Sequence, residues 1–145
     1  MAAMEFPPPV PNNQIWYTSD DGKVKPDDTK VFGANIISNE YNNGKGVIIF
    51  DGDVTTIGQE AFYNCRSLTS VTIPDSVTTI GERAFGLCTS LTSVYCKATT
   101  PPALGGTYVF DDNGSGRKIY VPAGSVNAYK SAAYWSEYAD AIVAE

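Results

Sequence analysis

Apolar and polar residues alternate in short runs along this chain, and the runs return at a fixed interval. In an extended segment, Val71-Thr72-Ile73 and Val94-Tyr95-Cys96 send their first and third side chains to one side and the middle one to the other. Sliding the sequence over itself gives a period of 23: Val54-Thr-Thr-Ile57-Gly58 returns as Val77-Thr-Thr-Ile80-Gly81, and 13 of the 18 positions from Val54 to Val71 are identical to their counterparts. Pro74 ends the strand by withholding an amide donor, and Gly58 and Gly81 let the backbone turn. Weaker copies lie on both sides. Ile48 to Asp53 sits 23 residues before Val71 to Ser76, and Ile119-Tyr120-Val121-Pro122 follows Val94 after a 25-residue step whose extra residues fall in Asp111-Asp-Asn-Gly-Ser-Gly116. Four ladder strands are predicted. Their inward pairs are Ile48/Phe50, Val71/Ile73, Val94/Cys96 and Ile119/Val121, leaving Ile49, Thr72, Tyr95 and Tyr120 as a row on the exposed face.

Repeats of about 20–29 residues carrying L-x-x-L-x-L mark leucine-rich solenoids, and Leu68-x-x-Val71-x-Ile73 fits that pattern. One coil cannot bury its apolar edge alone. Stacked coils can, with their strands in a parallel sheet and Ile57 or Ile80 and the Ala-Phe pairs filling the far side from a short helical or turn segment. The expected fold is a leucine-rich-repeat solenoid, α/β but mostly β, with about four short parallel strands over residues 47–122 of a single domain. Solenoid ends need covers. Residues 14–46 are read as an N-terminal β cap, with a hairpin of Ile15 to Thr18 and Lys23 to Lys25 around Ser19-Asp-Asp-Gly22 and a second strand and turn from Ala34 to Gly44. Residues 123–145 are read as a helical cap, Ser125 capping a helix from Val126 through Ala132 and Tyr129, Tyr134, Trp135, Tyr138, Ile142 and Val143 lying over the last coil. Residues 1–13, with Pro7-Pro-Pro9 and Pro11, are read as an extended tether.

Composition narrows the function. With 145 residues, 43% of them apolar, the chain can form an ordinary packed interior. A formal charge of −6 repels polyphosphates, so neither nucleic acid nor an anionic lipid surface is an expected partner. No apolar run approaches the roughly 20 residues that span a bilayer, so no membrane insertion is expected. Met1 to Glu5 lacks a secretory signal, and any export segment is expected to have been removed.

Histidine is absent, which removes the commonest general base and metal ligand, and no Gly-rich phosphate loop follows a strand. Neither catalysis nor a cofactor is expected. Cys65 and Cys88 take equivalent places in adjacent coils and are read as buried core thiols, with an inter-coil disulfide as the alternative; Cys96 replaces Ile73 in the core. Asp111-Asp112-Asn113-Gly114 has oxygen ligands at short spacing but no bidentate Glu at EF-hand distance, so it is read as a turn and not a metal site, as are Asp51-Gly52-Asp53 and Asp27-Asp28. The exposed row of Ile49, Thr72, Tyr95 and Tyr120 is the candidate binding surface. Tyrosine offers a large contact area with a polar tip, although Thr and Tyr also stabilise a sheet by cross-strand packing alone.

At Ile57-Gly-x-x-Ala61-Phe62-x-x-Cys65-x-Ser67-Leu68-Thr-Ser-Val71-Thr-Ile73-Pro74 the chain resembles the BspA-type leucine-rich repeats of bacterial, especially Bacteroides-like, surface proteins. The resemblance covers residues 47–122, and Lys118-Ile-Tyr-Val-Pro-Ala-Gly124 through Tyr138 is similar to the closing segment such proteins carry. It implies a right-handed solenoid at the cell surface or outside the cell, adhesion or protein binding as the role, and no catalytic residues. The expectation is a monomeric, non-enzymatic interaction module holding a protein or glycan, with a structural spacer or stalk as the alternative.

Overall fold

The computed structural model describes residues 9–26 and 29–145. Asp27-Asp28 and residues 1–8 of the expected tether lie outside the described residues.

Two sheets face each other across the core. The larger has seven strands: β1 (Gln14–Ser19), β2 (Ile36–Asn42), β3 (Lys45–Phe50), β5 (Leu68–Ile73), β7 (Ser93–Cys96), β9 (Lys118–Val121) and β10 (Ile142–Ala144). The smaller is built from β4 (Thr56–Ile57), β6 (Thr79–Ile80) and β8 (Ala103–Leu104). The spatial order β10-β9-β7-β5-β1-β3-β2 leaves the large sheet open, with β2 and β10 at its edges. The repeat fixes the register of its central part: Val71 pairs with Val94 and Val94 with Ile119, all parallel. The smaller sheet keeps the same step, Ile57 beside Ile80 beside Leu104. All eight predicted inward residues, from Ile48 to Val121, are fully buried.

Alternating backbone hydrogen bonds organise the turn segments that return each coil to the large sheet. The Ala61, Tyr63 and Cys65 amides donate within their own coil, to Gly58, Glu60 and Phe62, whereas Glu60, Phe62 and Asn64 donate to Glu82, Ala84 and Gly86 of the next. This requires left-handed residues at matched places, namely Glu60 and Asn64, Arg83 and Leu87, Tyr108 and Asp112. No helix forms, because half of these amides are bonded to a neighbouring coil. Inside, Phe62 stacks on Phe85 and Phe85 on Phe110, one ring per coil.

The ends depart from expectation. Ile48 to Phe50 runs in the predicted direction but does not adjoin β5, because β1 lies between them, antiparallel to both. Its Ile15 and Tyr17 are buried, so β1 both fills the core and takes up the hydrogen-bonding edges of two strands. The β2–β3 hairpin turns at Asn43-Gly44, with φ of 51° and 84° as a two-residue type I′ turn needs. Lys23 to Lys25 is not a strand: Val24 is buried and its amide donates to the Tyr17 hydroxyl. Residues 10–13 of the expected tether are packed, with Val10 buried and the Asn12 and Asn13 carbonyls accepting from Val54 and Phe50 at 2.8 Å each.

At the other end, α1 (Val126–Ser131) forms as predicted, but Ser125 does not cap it; its hydroxyl donates to the Thr99 carbonyl at 2.7 Å. Tyr129 donates to the Ala98 carbonyl and Trp135 to that of Pro102, pinning the segment across the last coil. The chain then ends as a strand and not as a helix: β10 adds to β9 in parallel, with Ile142 beside Ile119.

Candidate functional site

The open face of the seven-stranded sheet is built by strand alternation. Ladder registers align one half-buried side chain from each of six strands into a continuous row, Val47, Trp16, Thr72, Tyr95, Tyr120 and Val143, with the exposed Glu40 of β2 beside Val47. Three of the four predicted residues, Thr72, Tyr95 and Tyr120, therefore stand side by side. The fourth, Ile49, shares the face but not the row: it pairs with Gln14, two positions along, and β1 separates it from Thr72. The repeat period could not show this, because β1 belongs to no repeat. The alternation Ile15-Trp16-Tyr17 was the only signal that Trp16 belongs here, and Val143 carried none.

Tyr95 and Tyr120 stack with ring centroids 4.8 Å apart and planes 14° from parallel. Each ring covers a face of the other, so the pair presents ring edges outward. Trp16 is held by a hydrogen bond from its indole Nε1 to Gln14 Oε1 at 2.8 Å. Beside the aromatic row runs a polar one, Lys45, Thr18, Ser70, Ser93 and Lys118, in which the Thr18 hydroxyl bonds those of Thr69 and Ser70. On the opposite side Lys97 is ion-paired with Glu145. In a molecule of net charge −6, the polar row bordering the aromatics carries two lysines and no acid.

The other singled-out residues have structural partners. Cys88 Sγ donates to the Phe62 carbonyl at 3.0 Å, and its contact with Cys65 across the coils, together with burial, pushes its thiol far above the ordinary range. All three cysteines are thiols. Burial pushes Cys96 up to about 11. Asp111 accepts from the Tyr138 hydroxyl at 2.6 Å and Asn113 Nδ2 donates to the Phe85 carbonyl at 2.8 Å, so this turn is tied to its own core. Asp51 is clamped by the Asn35 amide and side chain, hydrogen bonds that hold its carboxyl below the usual range. Among the described residues, no three His, Cys, Asp or Glu side chains converge as metal ligands, and no helix is long and apolar enough to cross a membrane.

Coils of 23 or 25 residues with parallel strands in register around an aliphatic and aromatic core are the arrangement of the leucine-rich-repeat class of protein. The model of the BspA type leucine-rich-repeat region matches residues 36–139 in six copies, and the chain belongs to that family. None of the curated proteins compared with the chain matches it. Leucine-rich repeats generally mediate protein interaction or serve as modules of surface proteins and are generally non-enzymatic, and BspA-type proteins are typically at the surface or secreted.

Proposed function

We propose that this chain is a non-enzymatic, adhesin-like interaction module, displayed at the cell surface or secreted, which uses its stacked coils as a rigid solenoid and holds a protein partner through the open face of the large sheet. The observation carrying this reading is the unbroken row of Trp16, Thr72, Tyr95 and Tyr120 between Val47 and Val143. Ile49 flanks the row and extends the apolar surface. Tyrosine and tryptophan are among the residue types enriched where protein partners dock. The stacked tyrosines favour a protein partner over a glycan. A sugar packs flat on an open aromatic face, and here the Tyr95 and Tyr120 faces are turned on each other; a partner's side chains, by contrast, can slot between upright ring edges. The lysine margin favours a partner with acidic residues beside its apolar contacts.

The test is a pull-down with the wild-type chain and with a Tyr95→Ala, Tyr120→Ala double variant. A protein retained by the first and lost from the second supports the face, provided the variant's melting temperature falls by only about 2–4 °C per kcal/mol of lost stacking. Equal retention by both would remove the face from consideration.

A further inference from the structure

The turn segments bring one column of side chains into register through three successive coils. Cys65, Cys88 and Asn113 hold equivalent places in it, each directly after a left-handed residue, Asn64, Leu87 and Asp112. Two of the three reach back to the coil before their own: Cys88 Sγ donates to the Phe62 carbonyl at 3.0 Å, and Asn113 Nδ2 to the equivalent Phe85 carbonyl at 2.8 Å. Cys65, with no earlier coil to reach, has its Sγ 3.8 Å from the Lys25 carbonyl. Asn113 shows that this bracing hydrogen bond needs no sulfur. Thiols in two consecutive coils add a capacity that the bond does not use.

The backbone already holds the two cysteines at bonding separation. Just before the pair, the Phe62 and Asn64 amides donate to the Ala84 and Gly86 carbonyls at 2.7 and 2.8 Å, which locks the two coils together. Segments bonded in this way lie about 4.8 Å apart, inside the roughly 4.4–6.8 Å between Cα atoms that a disulfide spans. The side chains are close as well. Cys88 Sγ shares the Phe62 carbonyl with the Cys65 amide, which donates to it at 3.2 Å, and the Cys88 side chain also hydrogen-bonds that of Cys65. Access divides the roles, since Cys65 is half-buried and Cys88 fully buried. Cys96 is no competitor: it is sealed within β7, its Sγ 3.4 Å from the Tyr129 hydroxyl.

We infer that Cys65 and Cys88 are a redox-active pair that closes into an inter-coil disulfide on meeting a small disulfide such as oxidised glutathione. Cys65 Sγ attacks one sulfur of the oxidant, and the glutathione released takes up the Cys65 proton, leaving a mixed disulfide. Cys88 Sγ then displaces the second glutathione from Cys65 Sγ, its proton passing to that departing thiolate. Two protein thiols are oxidised, and one glutathione disulfide is reduced to two thiols. The bond staples two consecutive repeats and removes from the unfolded chain the loop freedom of the 23-residue step between them. Neither the sheet face nor the place where the protein is displayed enters this chemistry.

Incubating the full chain with oxidised glutathione, then with dithiothreitol, tests the pair. Thiols counted in denaturant are expected to fall from the three of the sequence to one, with the loss of the mass of two hydrogens and no dimer. The melting temperature is expected to rise by about 5–10 °C, and dithiothreitol to reverse every change. Cys65→Ser, at a half-buried position, should melt at one temperature in both buffers, whereas Cys96→Ala should keep the whole shift. Each variant is compared with itself, so any cost of the substitution to folding cancels. Three thiols persisting in the wild type, a glutathione adduct that never resolves, a linkage that requires Cys96, or a shift retained by Cys65→Ser would overturn the assignment.

Discussion

Phe62 and Phe85 lie with ring centroids 5.2 Å apart and planes 8° from parallel, in the middle of a file running from Phe32 through Phe110 to Trp135. Each ring fills the gap left by its neighbours in the coils before and after. Phe85→Ala opens that file at its centre, where both faces of the ring are covered, and is expected to cost about 3–5 kcal/mol in urea unfolding. A loss below about 1 kcal/mol would mean the adjoining coils collapse into the space without penalty.

Gly81 allows two coils to approach. A Cβ there would stand 2.3 Å from the Gln59 amide nitrogen and 2.7 Å from its Cα, both backbone atoms with no freedom to move aside. Gly81→Ala should therefore destabilise by about 3 kcal/mol or more. Gly22, at φ +80° but in open space, should lose only about 1–2 kcal/mol on the same substitution. Comparing the two melting curves separates crowding from backbone strain.

The Tyr95 and Tyr120 rings support each other whether or not a partner is bound. A double-mutant cycle on the two alanine variants should give a coupling of about 0.5–1.5 kcal/mol in favour of the pair. Additive effects would show that the stacked geometry contributes nothing in solution.

Alkaline pH should destabilise the fold. Burial raises the Cys96 thiol to about 11 and also lifts Tyr129, Tyr138 and Tyr17, while contact with Cys65 and burial lift Cys88. In each case the folded chain holds its proton more tightly than the unfolded one. The stability from these groups is therefore complete below about pH 8.5, where unfolded thiols begin to ionise, and drains away above it as unfolded tyrosines follow near about pH 10. The urea midpoint should fall from about pH 8.5 to about pH 11, and less steeply in Tyr138→Phe. A flat profile would contradict the burial of these hydroxyls and thiols.

The interior of the coils was legible because the 23-residue period and the two-residue alternation act together: once Val71 is set beside Val94, every inward residue follows. The hairpin turn was equally legible, since Asn43-Gly44 suits left-handed backbone. The position of β1 was not. Its pairing with β3 and β5 is settled by which apolar edge is nearest in space, and no local pattern encodes that. The same holds for β10, whose Ile142-Val143-Ala144 is too short to declare itself as a strand. The turn segments left a choice between helix and turn. Ala61-Phe62 and Ala84-Phe85 are compatible with helix, and inter-coil hydrogen bonding overrides that local choice. Of the exposed face, Thr72, Tyr95 and Tyr120 were readable from the repeats, while Trp16 and the displacement of Ile49 depend on the non-repeating strand.

Because β1 is wedged between the hairpin and the first coil, the molecule has two unlike folding tasks. The coils join residues 23 or 25 apart and can assemble one on the next, whereas seating Tyr17 opposite Val71 requires closure of the whole intervening stretch. The repeats are thus expected to order first and the amino-terminal strand last. Amide exchange should then find the strand from Gln14 to Ser19 opening well before the centre of the sheet, making it the weakest seam in an otherwise zippered stack.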